Sequence, residues 1–243
     1  MSLKNMKKVI IIGASSGLGK ELTKIFASND YEVGIAARRT DLLNELATEM
    51  PTKTYTATID ISNPDIAIQS LEKLIRDMGA VEVIIISAGT GYLNPSLSWS
   101  QEKDTIDTNV SGFTAMAGVA IRYFMKKKSG HLVGISSIAS IRGSNVCPSY
   151  NASKAYVSNY LEGLRKKVAK EKLPITITDI QPGLVDTALA KGDGLIWVAS
   201  PQKAATQIYR AIQRKKRSAY ITKRWTIVAW LYKIMPGFIY DKI

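Results

Sequence analysis

Short, nearly continuous apolar runs alternate along this chain with segments in which apolar residues recur at helical spacing. The runs at residues 9–12, 33–36, 54–59, 83–87, 132–136 and 175–180 read as strands, with a shorter one at 219–221. Segments such as VIII and VEVIII lack the in-out alternation of a half-wet sheet, which suits strands covered on both faces. Between them, Leu18, Leu22, Ile25 and Phe26 fall on one helical face, as do Ile68, Leu71 and Ile75. Strand and helix alternate, so the pattern predicts an α/β chain: a parallel, doubly wound sheet with helices on both sides. In such a sheet the ligand crevice lies beyond the carboxyl ends of the strands.

The segment Gly13-Ala14-Ser15-Ser16-Gly17-Leu18-Gly19 follows the first strand and opens the first helix. Glycines at 13, 17 and 19 allow a sharp turn and close approach of backbone to a ligand. The free N–H groups of the helix start then face that ligand with a positive dipole end, which suits a pyrophosphate. The second strand ends in Arg38-Arg39. An acid there would bond a ribose 2′-hydroxyl, whereas two guanidiniums favour a 2′-phosphate. Ser15 adds a hydroxyl. The expected cofactor is therefore NADP(H) in preference to NAD(H), with Asp41 the nearby acid that argues the other way.

Tyr150 and Lys154 stand four residues apart, one helical turn, and Ser137 lies thirteen residues before the tyrosine. A phenol titrates near ~10, and a neighbouring ammonium favours phenolate. With a second cation nearby, Tyr150 becomes a proton donor and acceptor for a carbonyl or alcohol, and Ser137 can hold the substrate oxygen.

Together, GASSGLG, Asn109, Ser137, Tyr150 and Lys154 resemble the short-chain dehydrogenase/reductase family over residues 7–222. The resemblance implies a Rossmann-type fold with a sheet of seven mostly parallel strands, and NADP(H)-dependent interconversion of a carbonyl and an alcohol. The family loop G-x-x-x-G-x-G is matched by Gly13, Gly17 and Gly19, with Ile12 where threonine is usual. The resemblance places Asp60 and Ile61 at the adenine, Ala88 and Gly89 at the cofactor ribose, Pro182 and Gly183 after the sixth strand, and Val185 and Thr187 at the carboxamide. It makes Tyr150 the general acid and base, and Lys154 the residue that holds the ribose and tunes the phenol. It gives Ser137, rather than its neighbour Ser136, the substrate oxygen. Asn109 bends a helix and holds a water that links Lys154 to solvent. The family's N-N-A-G segment appears as Ile86-Ser87-Ala88-Gly89, without either asparagine. That departure motivates the alternative of a nucleotide-bound regulator or scaffold on the same fold.

Composition adds less. One cysteine, Cys147, forbids an internal disulfide, and His131 is the sole histidine, so no metal centre is expected. The basic start and the short run at 9–12 read as a lead-in to a strand rather than a signal peptide. No run of about 18 apolar residues predicts a membrane span, and a cytoplasmic setting is expected. Lys126, Lys127 and Lys128 suit the negative end of a helix.

The net charge of +13 is uneven: ten lysines and arginines against Asp241 alone lie from Lys203 onward. Nucleic acid is the weaker reading of that excess, because the tail aromatics fall at core-like spacing. Residues 1–222 read as the catalytic unit and 223–243 as a basic, apolar extension. In the extension Trp225, Val228, Tyr232 and Met235 share one face, while Ile227, Trp230, Leu231 and Ile234 cover the others. A helix apolar nearly all round should be buried, either in a homodimer or homotetramer interface or in a membrane surface. Leu189, Leu195, Ile196, Trp197 and Val198 are expected to line an apolar substrate pocket.

Overall fold

The computed structural model describes residues 6–187, 189 and 197–242. Seven strands form one sheet: β1 (Lys7–Ile12), β2 (Tyr31–Ala37), β3 (Thr54–Thr58), β4 (Val83–Ile86), β5 (Gly130–Ile135), β6 (Ile175–Pro182) and β7 (Ser218–Ile221). Their order is β3-β2-β1-β4-β5-β6-β7 and every pairing is parallel. Val9 pairs with Val33 on one side and Val83 on the other. The chain winds outward in opposite directions from β1 and β4, which opens a crevice at their carboxyl ends.

Helices α1 (Gly17–Ala27), α2 (Thr40–Thr48), α3 (Pro64–Met78), α4 (Trp99–Ile106), α5 (Phe113–Lys127), α6 (Pro148–Lys170) and α7 (Pro201–Gln213) follow the strands, with a π-helical turn at Asp107–Gly112 between α4 and α5. Alternate residues of β1 feed two separate cores. Ile10 and Ile12 join Leu71, Phe113, Phe124 and Leu161 of α3, α5 and α6. Val9 and Ile11 join Leu22, Phe26 and Ile208 of α1 and α7. All four β1 residues are fully buried, each contributing roughly 1.5–3 kcal/mol. This two-sided burial is why the strand sequences are unbroken apolar runs.

After β7 come α8 (Trp225–Ile234) and α9 (Gly237–Tyr240). Within the chain, α8 is buried on one face only. Trp225 and Ala229 are buried, while Ile227, Trp230, Leu231 and Ile234 lie on the surface. The body of the protein meets only one face of α8. Among the described residues no helix is long and apolar enough to cross a membrane.

Candidate active site

The turn from β1 to α1 passes directly beneath the end of β4. Gly13 adopts φ +92°, and a β-carbon there would lie 2.4 Å from the Ala88 nitrogen. Gly13 N and Ala14 N both donate to Ala36 O, at 2.7 and 3.1 Å, and Ser87 N and Ala88 N donate to Ile12 O at 2.8 and 2.9 Å. Backbone therefore ties this crossing together without the two asparagine side chains that the chain lacks.

Ser16 is the N-cap of α1, yet its hydroxyl caps no backbone N–H, and the first turn holds no acid. The hydroxyl instead accepts from Arg39 Nη2 at 2.9 Å, and Ser15 Oγ accepts from the same nitrogen at 3.0 Å. Arg39 makes no ion pair among the described residues, so its charge stays available beside a helix start that side chains leave open.

A cavity of about 690 Å³ runs from this loop to α6. It brings together Ser15, Ser16, Gly17 and Leu18; Arg38 and Arg39; Asp60 and Ile61; Ala88 and Gly89; Ser137, Tyr150 and Lys154; and Pro182, Gly183, Val185 and Thr187, along with Gly13. Gly19 and Asn109 stand just behind its wall: Gly19 packs on the Gly13 carbonyl, and the Asn109 amide approaches Gly89. The Thr187 methyl faces Gly17, where a β-carbon would come within 3.2 Å. Asp60 accepts from Ser62 N and Ser62 Oγ, which fixes the loop after β3.

Ser136 and Ser137 diverge as they leave β5. Ser136 donates to Asp179 Oδ1 at 2.5 Å and to Ile180 O, so its hydroxyl is committed to β6. Ser137 accepts from Ala139 N at 3.1 Å and donates weakly to Pro182 O at 3.4 Å. Tyr150 and Lys154 share a face of α6, with Lys154 Nζ 5.6 Å from the Tyr150 ring centre and donating to Ile135 O at 3.1 Å.

Asn109 lies in the π-helical turn, where the helix departs from α geometry. Its Nδ2 donates to Thr90 O at 2.7 Å and Ser153 Oγ at 3.0 Å, and its Oδ1 accepts from Thr90 N at 2.9 Å. Ser153 Oγ in turn donates to Tyr150 O at 2.7 Å. Asn109 thereby locks the loop after β4 to the helix that carries the tyrosine.

Burial pushes the Tyr150 phenol above its ordinary value, a hydrogen bond with Ser137 opposes this, and the Cys147 charge adds to it. Lys154 is pulled down to about 8 by burial, against the opposing charge of Asp179. The acidic phenol expected from the sequence needs a second cation besides Lys154, and in the protein alone burial dominates. Desolvation penalises the charged form of each group.

Sequence reasoning passed over residues 90–93, the segment after β4. Thr90, Gly91, Tyr92 and Leu93 all line the cavity, and Tyr92 donates to Asp104 Oδ2 at 2.6 Å. Their position directly after Ala88-Gly89 was the available signal. Of the expected pocket residues Leu189 lines the cavity, Trp197 and Val198 are exposed, and Leu195 and Ile196 lie outside the described residues.

Residues 7–194 match the family model of the short chain dehydrogenases. The chain belongs to the short-chain dehydrogenase/reductase family. Among curated relatives of this short-chain dehydrogenase, an uncharacterized oxidoreductase of Mycobacterium tuberculosis is 30% identical over 241 residues, covering 95% of this chain and 94% of the relative. The 3-oxoacyl-[acyl-carrier-protein] reductase of Chlamydia muridarum is 30% identical over 192 residues, 76% of this chain and 77% of that protein. The fold matches the closed form of serine dehydrogenase complexed with NADP+ at TM-score 0.79 and 23% identity, over 88% of this chain and 94% of that one. It matches a 7β-hydroxysteroid dehydrogenase at TM-score 0.80 and 21% identity, over 94% and 92%.

Proposed function

We propose that this short-chain dehydrogenase interconverts a carbonyl and an alcohol with NADP(H), using Tyr150 as general acid and base. The observation that carries the reading is convergence. Ser137, Tyr150 and Lys154 meet in the same cavity as the glycine loop and the two arginines.

The residues present fit a dinucleotide. The uncapped start of α1 would take the pyrophosphate, because side chains leave its first N–H groups open, and the Gly13 turn leaves room for it. Asp60 and Ile61 would flank the adenine, and Ala88, Gly89 and Lys154 the nicotinamide ribose. Pro182, Gly183, Val185 and Thr187 would meet the carboxamide end. Arg39, held over the loop by Ser15 and Ser16, together with Arg38 favours a 2′-phosphate. When bound, the nicotinamide ring supplies or accepts the hydride.

The chain's own residues then manage the proton. In reduction the Tyr150 hydroxyl donates to the carbonyl oxygen as that atom gains negative charge. Ser137 donates a hydrogen bond to the same oxygen and fixes the carbonyl's orientation. The phenolate left behind is stabilised by the Lys154 ammonium and reprotonated along a path past Lys154 and a water held at Asn109. In oxidation the phenolate takes the alcohol's proton.

An apolar carbonyl compound fits the substrate end, where Leu93, Ile138, Leu184 and Leu189 line the cavity. The 3-oxoacyl and hydroxysteroid names of two similar proteins agree with that class. Steady-state NADPH consumption across apolar ketones, aldehydes and quinones tests the proposal. Turnover of at least one apolar carbonyl is expected, and none with any of them would overturn it.

A further inference from the structure

Helix α8 carries two apolar stripes, and only one has a partner within the chain. Trp225 and Ala229 are buried, and a β-carbon on Gly183 would come 2.2 Å from the Trp225 indole. The second stripe, Ile227, Trp230, Leu231 and Ile234, follows i, i+3, i+4, i+7 spacing and is between 44% and 66% exposed. Helix α9 extends it with Phe238, 70% exposed, and Ile239. A continuous outward apolar stripe of this kind marks a docking face.

Exposed cations flank α8 and α9 along the chain. Lys223 and Arg224 precede α8, Lys233 stands in its last turn, and Lys242 follows α9. The exposed run Arg214, Lys215, Lys216 and Arg217 leads into β7. Asp241 is the one acid from Lys203 onward, against ten lysines and arginines. A second copy of the chain seated on the stripe would bring two such sets of cations together with almost nothing to offset them. An anionic bilayer offers the complement: its phosphates meet the cations, and Trp230 and Phe238 settle at the boundary with the acyl chains.

We infer that α8 and α9 dock this protein on an anionic membrane surface, lying in its plane. The segment is anchored beside the cavity. Arg142 donates to Tyr232 O at 2.9 Å and to Met235 O, and Tyr240 Oη donates to Gly143 O at 2.6 Å. Arg142 and Gly143 belong to the loop that leads from Ser137 to α6, so the docking face and the catalytic loop form one connected surface. Asn151, next to Tyr150, donates to the Arg142 carbonyl at 2.6 Å.

Flotation of the full chain with phosphatidylcholine vesicles, with and without phosphatidylglycerol, tests this without any activity readout, so it stands apart from the reductase proposal. The protein should float with the anionic vesicles, remain behind with the neutral ones, and detach in high salt. The double variant Ile227→Ser/Trp230→Ser changes only exposed side chains, and circular dichroism checks that it folds. It should lower vesicle partitioning about tenfold or more. Lys223→Glu/Lys233→Glu, which keeps the apolar stripe, should lower it by a similar factor. No flotation with anionic vesicles, or unchanged partitioning in both variants, overturns the inference. So does a light-scattering mass that halves in the Ile227→Ser/Trp230→Ser variant, because a second copy would then cover the face.

Discussion

A β-carbon placed on Gly91 would lie 2.5 Å from Cδ2 of Tyr150, so the backbone after β4 rests directly on the phenol ring. Any side chain at 91 has to displace the ring. Gly91→Ala is therefore expected to lower kcat by about a hundredfold, the scale of an ångström-sized misplacement of a reacting group. NADPH affinity, read by cofactor fluorescence, should change less than kcat, because the added β-carbon meets the phenol ring and not the loop at residues 13–19. Unchanged kcat would show that the ring position is not what catalysis needs.

Tyr150→Phe removes the proposed acid and preserves the ring. Reduction should fall by about 10²–10⁴-fold, the usual contribution of a positioned acid or base. Isothermal titration should give an NADPH Kd close to that of the unaltered protein. A joint loss of binding and rate would point to a structural role for the phenol instead.

Arg39→Ala removes the guanidinium that Ser15 and Ser16 hold. A charge-assisted hydrogen bond contributes roughly 1.5–3 kcal/mol, so kcat/KM for NADPH should drop about ten- to a hundredfold while that for NADH stays level. Equal losses with both cofactors would remove the basis for the 2′-phosphate reading.

His131 supplies a pH test of stability. It is buried at the amino end of β5, with Nε2 2.8 Å from Thr178 Oγ1. Burial lowers its pKa to about 4 from the ordinary 6.5, with the Lys215 charge adding to the effect. The unfolded chain therefore binds a proton that the folded chain refuses between these values. The associated stability is fully present above pH 6.5 and is lost as pH falls towards 4, by about 1.4 kcal/mol per pH unit. Urea unfolding at pH 7 and pH 4.5 should show His131→Gln losing about 2–3 kcal/mol less than the unaltered protein over that interval. Equal losses would mean that His131 is not neutral in the fold.

The sheet was legible because two-sided burial writes itself as unbroken apolar runs, and each of β1 to β7 overlaps a run read as a strand. The crevice was legible because the glycine loop directly follows β1 and the arginine pair directly follows β2. The role of Gly91 was not, since nothing local to residues 90–93 encodes the approach of α6 from sixty residues downstream. The partners of Asn109 were hidden for the same reason: Thr90 and Ser153 reach it only through packing. In α8 the pattern shows apolar residues on every face but not which of them the body of the protein receives, which is Trp225 and Ala229. The burial of the phenol was not legible either. One turn of helix sets Lys154 near Tyr150 but says nothing of the desolvation they share.

The decisive measurement is titration of the Tyr150 phenol by NMR of isotope-labelled tyrosine, assigned by its absence in Tyr150→Phe, with and without NADP+. In the free protein the phenol should titrate above the ordinary ~10, as burial dictates. With the oxidised cofactor bound, its positive charge joins Lys154 and the phenolate should form at a lower pH than in the free protein. A phenol that titrates at the same pH in both states would contradict the account.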